Sequence, residues 1–66
     1  MKTFKVQRWA VAGKEISVDT EITVNSKNYA AALSQARAVN PRLIHRSLGI
    51  NLYEDQNGWQ YGVTRA

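Results

Sequence analysis

The sequence predicts an α+β fold, a two-layer sandwich in which one antiparallel sheet carries one helix packed on one face. The order is β-β-α-β-β, with a fifth strand if one further segment pairs. Three observations predict it. Glu15 to Val24 alternates apolar and polar residues with a period of two. Tyr29, Ala32, Leu33, Ala36 and Val39 recur at helical spacing. Asp55-Gln56-Asn57-Gly58 is a dense turn signal between two runs of strand formers.

The first element is Thr3 to Ala12, rich in strand formers, and Gly13-Lys14 supplies the turn into Glu15–Val24. The two runs pair as an antiparallel hairpin with two competing registers. A three-residue loop at Gly13-Lys14-Glu15 pairs Phe4 with Val24, Val6 with Ile22, Ala10 with Val18 and Ala12 with Ile16 on one apolar face. Trp9 and Val11 then point outward beside Asp19 and Ser17. A two-residue loop flips the parity and sends Trp9 and Val11 into the core with Ile16 and Val18. The first register buries more of Phe4 and Val6 and is preferred; a bulge would satisfy both ends.

Ser26 reads as the N-cap of a helix over Lys27–Val39, with Lys27, Ser34, Arg37 and Ala38 away from the apolar stripe. Its alanines favour helix and allow close approach to a sheet. Asn40-Pro41 ends it, because a residue before proline avoids the helical region. Arg42–Arg46 follows, then a turn or bulge at Ser47-Leu48-Gly49, then a strand at Ile50–Glu54. Trp59–Thr64 completes a terminal hairpin beyond the Asn57-Gly58 turn.

A chain of 66 residues has room for one domain, 1–66. At that size only about 60% of the unfolded chain's surface is buried, so stability is thin. An apolar fraction of 44% and a charged fraction of 21% argue against disorder. Cysteine is absent, which removes disulfides and thiolate metal sites and favours an intracellular setting. Met1 to Val6 has no apolar secretion core and no run reaches membrane-spanning length, so the expectation is a cytoplasmic protein with no membrane partner. Nine Lys and Arg against five Asp and Glu leave a net charge of +4, which draws polyanions toward so small a body.

Catalysis finds little to work with. His45 is the only histidine, and a lone histidine in a basic strand is usually a surface or packing residue. Asp19 and Glu21 share a strand face, but Gln7, Arg8 and Lys5 nearby favour an exposed cross-strand charge ladder. No phosphate loop, activated serine pattern or metal-ligand cluster is present in the sequence. The expectation is no enzyme, no catalytic residue, no metal, no cofactor and no small-molecule substrate.

Binding finds more. Trp9, Tyr53, Trp59 and Tyr61 fall on strands, interleaved with Arg8, Arg42, Arg46 and Arg65. Aromatics beside arginine stack bases, grip phosphates or anchor a protein interface. Set against this, Ile50, Leu52, Tyr61 and Val63 read as packing, and Trp59 as a cap on the core edge. Arg37, Arg42 and Arg46 cluster around the helix C-terminus, where they also complement its dipole. The candidate partner-binding residues are Trp9, Lys14, Lys27, Arg37, Arg42 and Arg46.

Glu21-Ile22-Thr23-Val24-Asn25-Ser26, then Ala30, and the terminal Leu52-Tyr53-Glu54-Asp55-Gln56-Asn57-Gly58-Trp59 carry a family likeness. The plan resembles the small phage-borne anti-CRISPR proteins, particularly a type I-F group built as β-β-α-β-β-β with a final Tyr-x-Glu-Asp-Gly-x-x-Trp-like hairpin. It is more loosely similar to small phage inhibitors of bacterial RNA polymerase. The likeness spans most of the chain as architecture and far fewer positions as residues. It implies a stoichiometric inhibitor that docks on a host ribonucleoprotein near the basic channel where target DNA pairs with the guide. The sequence departs from that group at Ala31 and Ala32, which replace basic helix residues, in the spacing of Tyr53 to Trp59, and in the short stretch from Pro41 to Ile50.

The resulting expectation is a phage or mobile-element accessory protein that binds and inhibits a host nucleic-acid-processing complex in the host cytoplasm. The alternative is direct DNA binding by the sheet, with Lys5, Gln7, Arg8 and Trp9 toward the DNA. A third reading is self-association through the sheet edges. The sequence leaves the oligomeric state open.

Overall fold

The computed structural model describes residues 1–47 and 49–66, with the backbone alone for Val11. The chain forms one antiparallel five-stranded sheet and one short helix. The elements are β1 (Lys2–Ala12), β2 (Glu15–Ser26), α1 (Tyr29–Gln35), β3 (Arg42–Ser47), β4 (Ile50–Glu54) and β5 (Gln60–Arg65). Their order across the sheet is β2-β1-β5-β4-β3, which makes β2 and β3 the edges. The segment after Pro41 is thus a fifth strand. Between β3 and β4, Gly49 takes φ 82°, while Leu48 of the expected Ser47-Leu48-Gly49 turn or bulge lies outside the described residues.

Both hairpin registers are used, one at each end. Near the open end Phe4 faces Val24 and Val6 faces Ile22, as preferred. At the tip Ala12 faces Glu15, so the loop is the two-residue Gly13-Lys14, and Gly13 at φ 63° occupies the first loop position of a II′-type turn. The parity conflict is absorbed between Arg8 and Trp9, where Arg8 faces Thr20, Trp9 faces Val18 and Asp19 is the extra residue of a bulge. Trp9 therefore points away from the helix as expected, but beside Val18 rather than Asp19. The bulge also splits the apolar run of β2, and Ile16 and Val18 stand 62% and 53% exposed instead of joining the core. The direction of the Val11 side chain lies outside the described residues.

The helix is shorter than its alanines suggest. Its N-cap is Asn28, whose side-chain oxygen accepts from the Ala31 amide at 2.9 Å, and not Ser26. Ser26 ends β2, is buried, and accepts a hydrogen bond from the Gln35 side chain. At the other end Ala36 is the C-cap, and Arg37 at φ 65° turns the chain into the left-handed region three residues before Asn40. The Ala38 amide donates to the Leu33 carbonyl and the Arg37 amide to the Ser34 carbonyl, the two bonds of a Schellman ending. That turn swings Ala38 back against the core and leaves Val39 41% exposed, reversing the roles the helical stripe assigned them.

Phe4, Val6, Ala32, Leu33, Tyr61 and Val63 are the buried core, and the Tyr29 ring meets Phe4 edge-on at 4.9 Å between centroids. Strand pairing puts Val6 beside Val63 and Tyr53 beside Tyr61, so these residues share the face on which α1 packs. The alternate positions, Lys5, Gln7, Trp9, Gly62, Thr64, Ile50 and Leu52, lie on the other face. Among the described residues no helix is long and apolar enough to cross a membrane.

Candidate functional site

The face turned away from α1 is organised around Trp9. Its indole lies over Gly62 of the neighbouring strand: a Cβ built on Gly62 would stand 2.7 Å from Trp9 Cζ2 and 3.3 Å from Ile50 Cδ1. Gly62 has no positive φ, so the missing side chain serves close approach and not backbone freedom. The Trp9 Nε1–H donates to the Gln7 side-chain oxygen at 3.1 Å, and Gln7 in turn donates to Glu21 at 2.6 Å. The ring is thereby held half-buried over the neighbouring β5. Val18, Ile50 and Leu52 flank it in pairing register, giving an apolar band bordered by Lys5, Gln7, Gln60 and Glu54.

The other five candidates do not gather around Trp9. Lys14 is at the hairpin tip of a body 37 Å long, and Lys27 is exposed between β2 and α1. Arg37 is at the helix end. Arg42 and Arg46 share β3, but a bulge between Leu43 and His45 pairs Arg42 with Glu54 and Arg46 with Asn51, on opposite faces. Arg42 stands 3.6 Å from the Glu54 carboxylate, while Arg46 borders a shallow cleft with Tyr29 and Asn51. The cluster that sequence proximity suggests for Arg37, Arg42 and Arg46 is therefore dispersed.

Arg8 faces α1 and not the Trp9 side, because it precedes Trp9 by one residue on a strand. Its guanidinium lies over the Trp59 ring at 4.3 Å and pairs with Asp19, the residue the bulge re-aims. The hydrogen bond to Asp19 raises the Arg8 pKa against some desolvation, with the Asp19 charge and the nearby Tyr61 hydroxyl adding to the rise. Deeper, buried Asp55 accepts from the amides of Asn57 at 2.9 Å and Trp59 at 3.0 Å and from the Tyr61 hydroxyl at 3.2 Å. It also accepts from the Val39 amide at 3.4 Å, joining the post-helix loop to the β4–β5 turn. Sequence reasoning missed this hub, reading Asp55 only as a turn residue. It also missed Gly62, although a glycine inside a strand pattern signals close approach.

Tyr61 carries a pH signature. Burial, then the Asp55 charge and hydrogen bond, push its pKa above the ordinary 10.0, with Arg8 pulling weakly the other way. A raised pKa means that this stabilisation is complete below pH 10 and is lost as pH rises from there through the folded value. Unfolding free energy is expected to start falling near pH 10 with a slope of at most about 1.4 kcal/mol per pH unit from this residue. Urea titrations at several alkaline pH values check it: Tyr61→Phe should lack this increment of slope, and an identical slope in that variant refutes the assignment.

Asp19 and Glu21 do not form a carboxylate pair, since one is held by Arg8 and the other by Gln7. His45 is exposed on β3 opposite Leu52. No group of three His, Asp or Glu side chains that could hold a metal ion occurs among the described residues. No protein-family model, curated protein or solved structure matches the chain.

Proposed function

We propose that this chain acts by binding and not by catalysis, as an anti-CRISPR-like accessory protein of a phage or mobile element. In this reading it docks stoichiometrically on a host nucleic-acid-processing complex in the cytoplasm and inhibits it. The arrangement it uses is a two-layer α+β sandwich whose helix covers one sheet face and leaves the other for the partner. The observation that carries the reading is Trp9, an aromatic anchor seated on Gly62 and fixed by Gln7 before any partner arrives. A preorganised tryptophan loses little entropy on binding, and such residues dominate interface energetics. The net charge of +4 suits a ribonucleoprotein, whose surface is rich in phosphate.

Titrating a purified type I-F surveillance complex with the chain tests it. Target-DNA binding should be lost with a break at equimolar protein. Trp9→Ala, outside the buried core, should fold and weaken the complex by about thirtyfold or more, the loss of a hot-spot residue. Undiminished DNA binding at excess protein, or equal potency of Trp9→Ala, refutes the proposal.

Direct DNA binding by the same face is the second reading, favoured by Lys5 beside Gln7 and Trp9. It proceeds without Arg8, which faces the helix side. A steep linear fall of log affinity with log salt distinguishes it from a protein-dominated contact.

A further inference from the structure

We infer that the groove between the end of α1 and the β1–β2 hairpin binds a phosphoryl group, held by Arg8, Arg37 and Thr20, and that its occupant is a nucleic-acid phosphodiester. This site lies on the helix side of the sheet and is independent of what occupies the Trp9 face. The groove encloses about 230 Å³, with Val6, Ile22 and Ala36 as its apolar floor. Arg8, Thr20 and Arg37 bring donors to it from three elements: β1, β2 and the helix ending.

Two features mark this groove as more than a gap beside a helix. The first is how firmly Arg8 is placed. Asp19 takes one edge of the guanidinium through Nε, at 3.0 Å, and Nη2, while the plane rests on Trp59. The bulge that delivers Asp19 is the kind of irregularity that re-aims a side chain at a functional site. The Tyr61 hydroxyl also lies within hydrogen-bonding reach of the guanidinium and helps fix it at the wall of the groove. A pinned guanidinium loses little freedom when an oxyanion arrives.

The second is the choice of residue at position 37. A C′ residue at φ 65° is the place for glycine, and any side chain there is strained. The chain nevertheless has arginine, and its guanidinium takes part in no ion pair among the described residues. Strain kept at a position that contributes charge to a groove points to use of that charge. With Asp19 offsetting one guanidinium, the groove retains net positive charge. Donors converging from three directions match the tetrahedral oxygens of a phosphoryl group better than the two coplanar oxygens of a carboxylate. The +4 chain steers polyanions toward it.

The test is an amide and arginine side-chain NMR titration with inorganic phosphate, then acetate at matched ionic strength, then a short oligothymidylate. Phosphate and the oligonucleotide should shift Thr20, Gln35 and Arg37 and the Nε–H signals of Arg8 and Arg37 saturably, with acetate weaker. Arg37→Gly relieves the strained φ, so its melting temperature should rise by about 2–6 °C while phosphate affinity falls about tenfold. Stability and binding thus move in opposite directions, which an unfolded variant cannot imitate. Equal shifts with acetate overturn the phosphoryl assignment in favour of an acidic peptide. Phosphate shifts without oligonucleotide shifts overturn the nucleic-acid occupant. Unsaturable or scattered shifts, or unchanged affinity in Arg37→Gly, overturn the site.

Discussion

Replacing Asp55 by alanine is expected to lower the free energy of unfolding by about 3 kcal/mol or more, the largest single effect of any polar substitution in this chain. The Asp55 carboxylate accepts from three backbone amides and the Tyr61 hydroxyl, and is itself buried. Alanine leaves those donors facing a side chain with no acceptor, in a space too protected for water to replace each bond fully. Two of the amides set the β4–β5 turn and one ties down the chain after α1, so the loss spreads to both ends of the core. A domain of this length has a total stability of only about 3–10 kcal/mol, so the variant should be largely unfolded at low denaturant. Urea denaturation followed by circular dichroism measures it. Asp55→Asn keeps one acceptor oxygen and should fall between the two proteins, about 1–2 kcal/mol below the parent. An alanine variant within 1 kcal/mol of the parent, on the same scale, shows that water fills the hub and that the bonds are dispensable.

Elements were legible from the sequence wherever local pattern and tertiary need agree. The β1–β2 and β4–β5 hairpins follow from alternation and from Gly13 and Gly58, which take φ 63° and 86°. Tyr29, Ala32, Leu33 and Ala36 form the apolar stripe of α1 because helical spacing alone decides which residues face the sheet. Legibility failed where one residue had two physically sound roles. Ser26 and Asn28 both suit an N-cap, and only the burial of Ser26 against Gln35 separates them. Lys27 to Val39 is good helix sequence, yet Arg37 enters the left-handed region because the Schellman bonds and the return of Ala38 to the core outweigh propensity. A period-two pattern records parity, and bulges change parity without leaving a mark in composition. The two here reverse Ile16 and Val18 in one edge strand and part Arg42 from Arg46 in the other. Grouping basic residues by sequence distance therefore failed, while Trp9, judged by its outward parity, does lie on the face turned away from α1.

Gly62→Ala should destabilise the fold by about 1–3 kcal/mol in the parent and be neutral or stabilising in a Trp9→Ala background. The backbone at Gly62 is unstrained for any residue, and alanine loses less chain entropy on folding, so the intrinsic effect of the substitution favours alanine by up to about 1 kcal/mol. Against this stands the indole. A methyl group at 62 would lie 2.7 Å and 3.0 Å from Trp9 Cζ2 and Cη2, inside any allowed carbon contact, so the ring must leave its seat. Leaving breaks the Nε1–H bond to Gln7 and uncovers the β1–β5 backbone. Backbone gain and ring displacement have opposite signs, and only the second depends on residue 9. The double-mutant cycle isolates it as a coupling of about 2 kcal/mol, measured by urea denaturation. In the single variant Trp9 fluorescence, read on a Trp59→Phe background, should shift to the red as the ring enters water. Equal costs in both backgrounds, with unshifted emission, would mean that the indole does not rest on Gly62. If the coupling is found, Gly62→Ala becomes the more telling probe of partner binding: Trp9 is still present, its position is not, and any loss of affinity then measures preorganisation apart from contact.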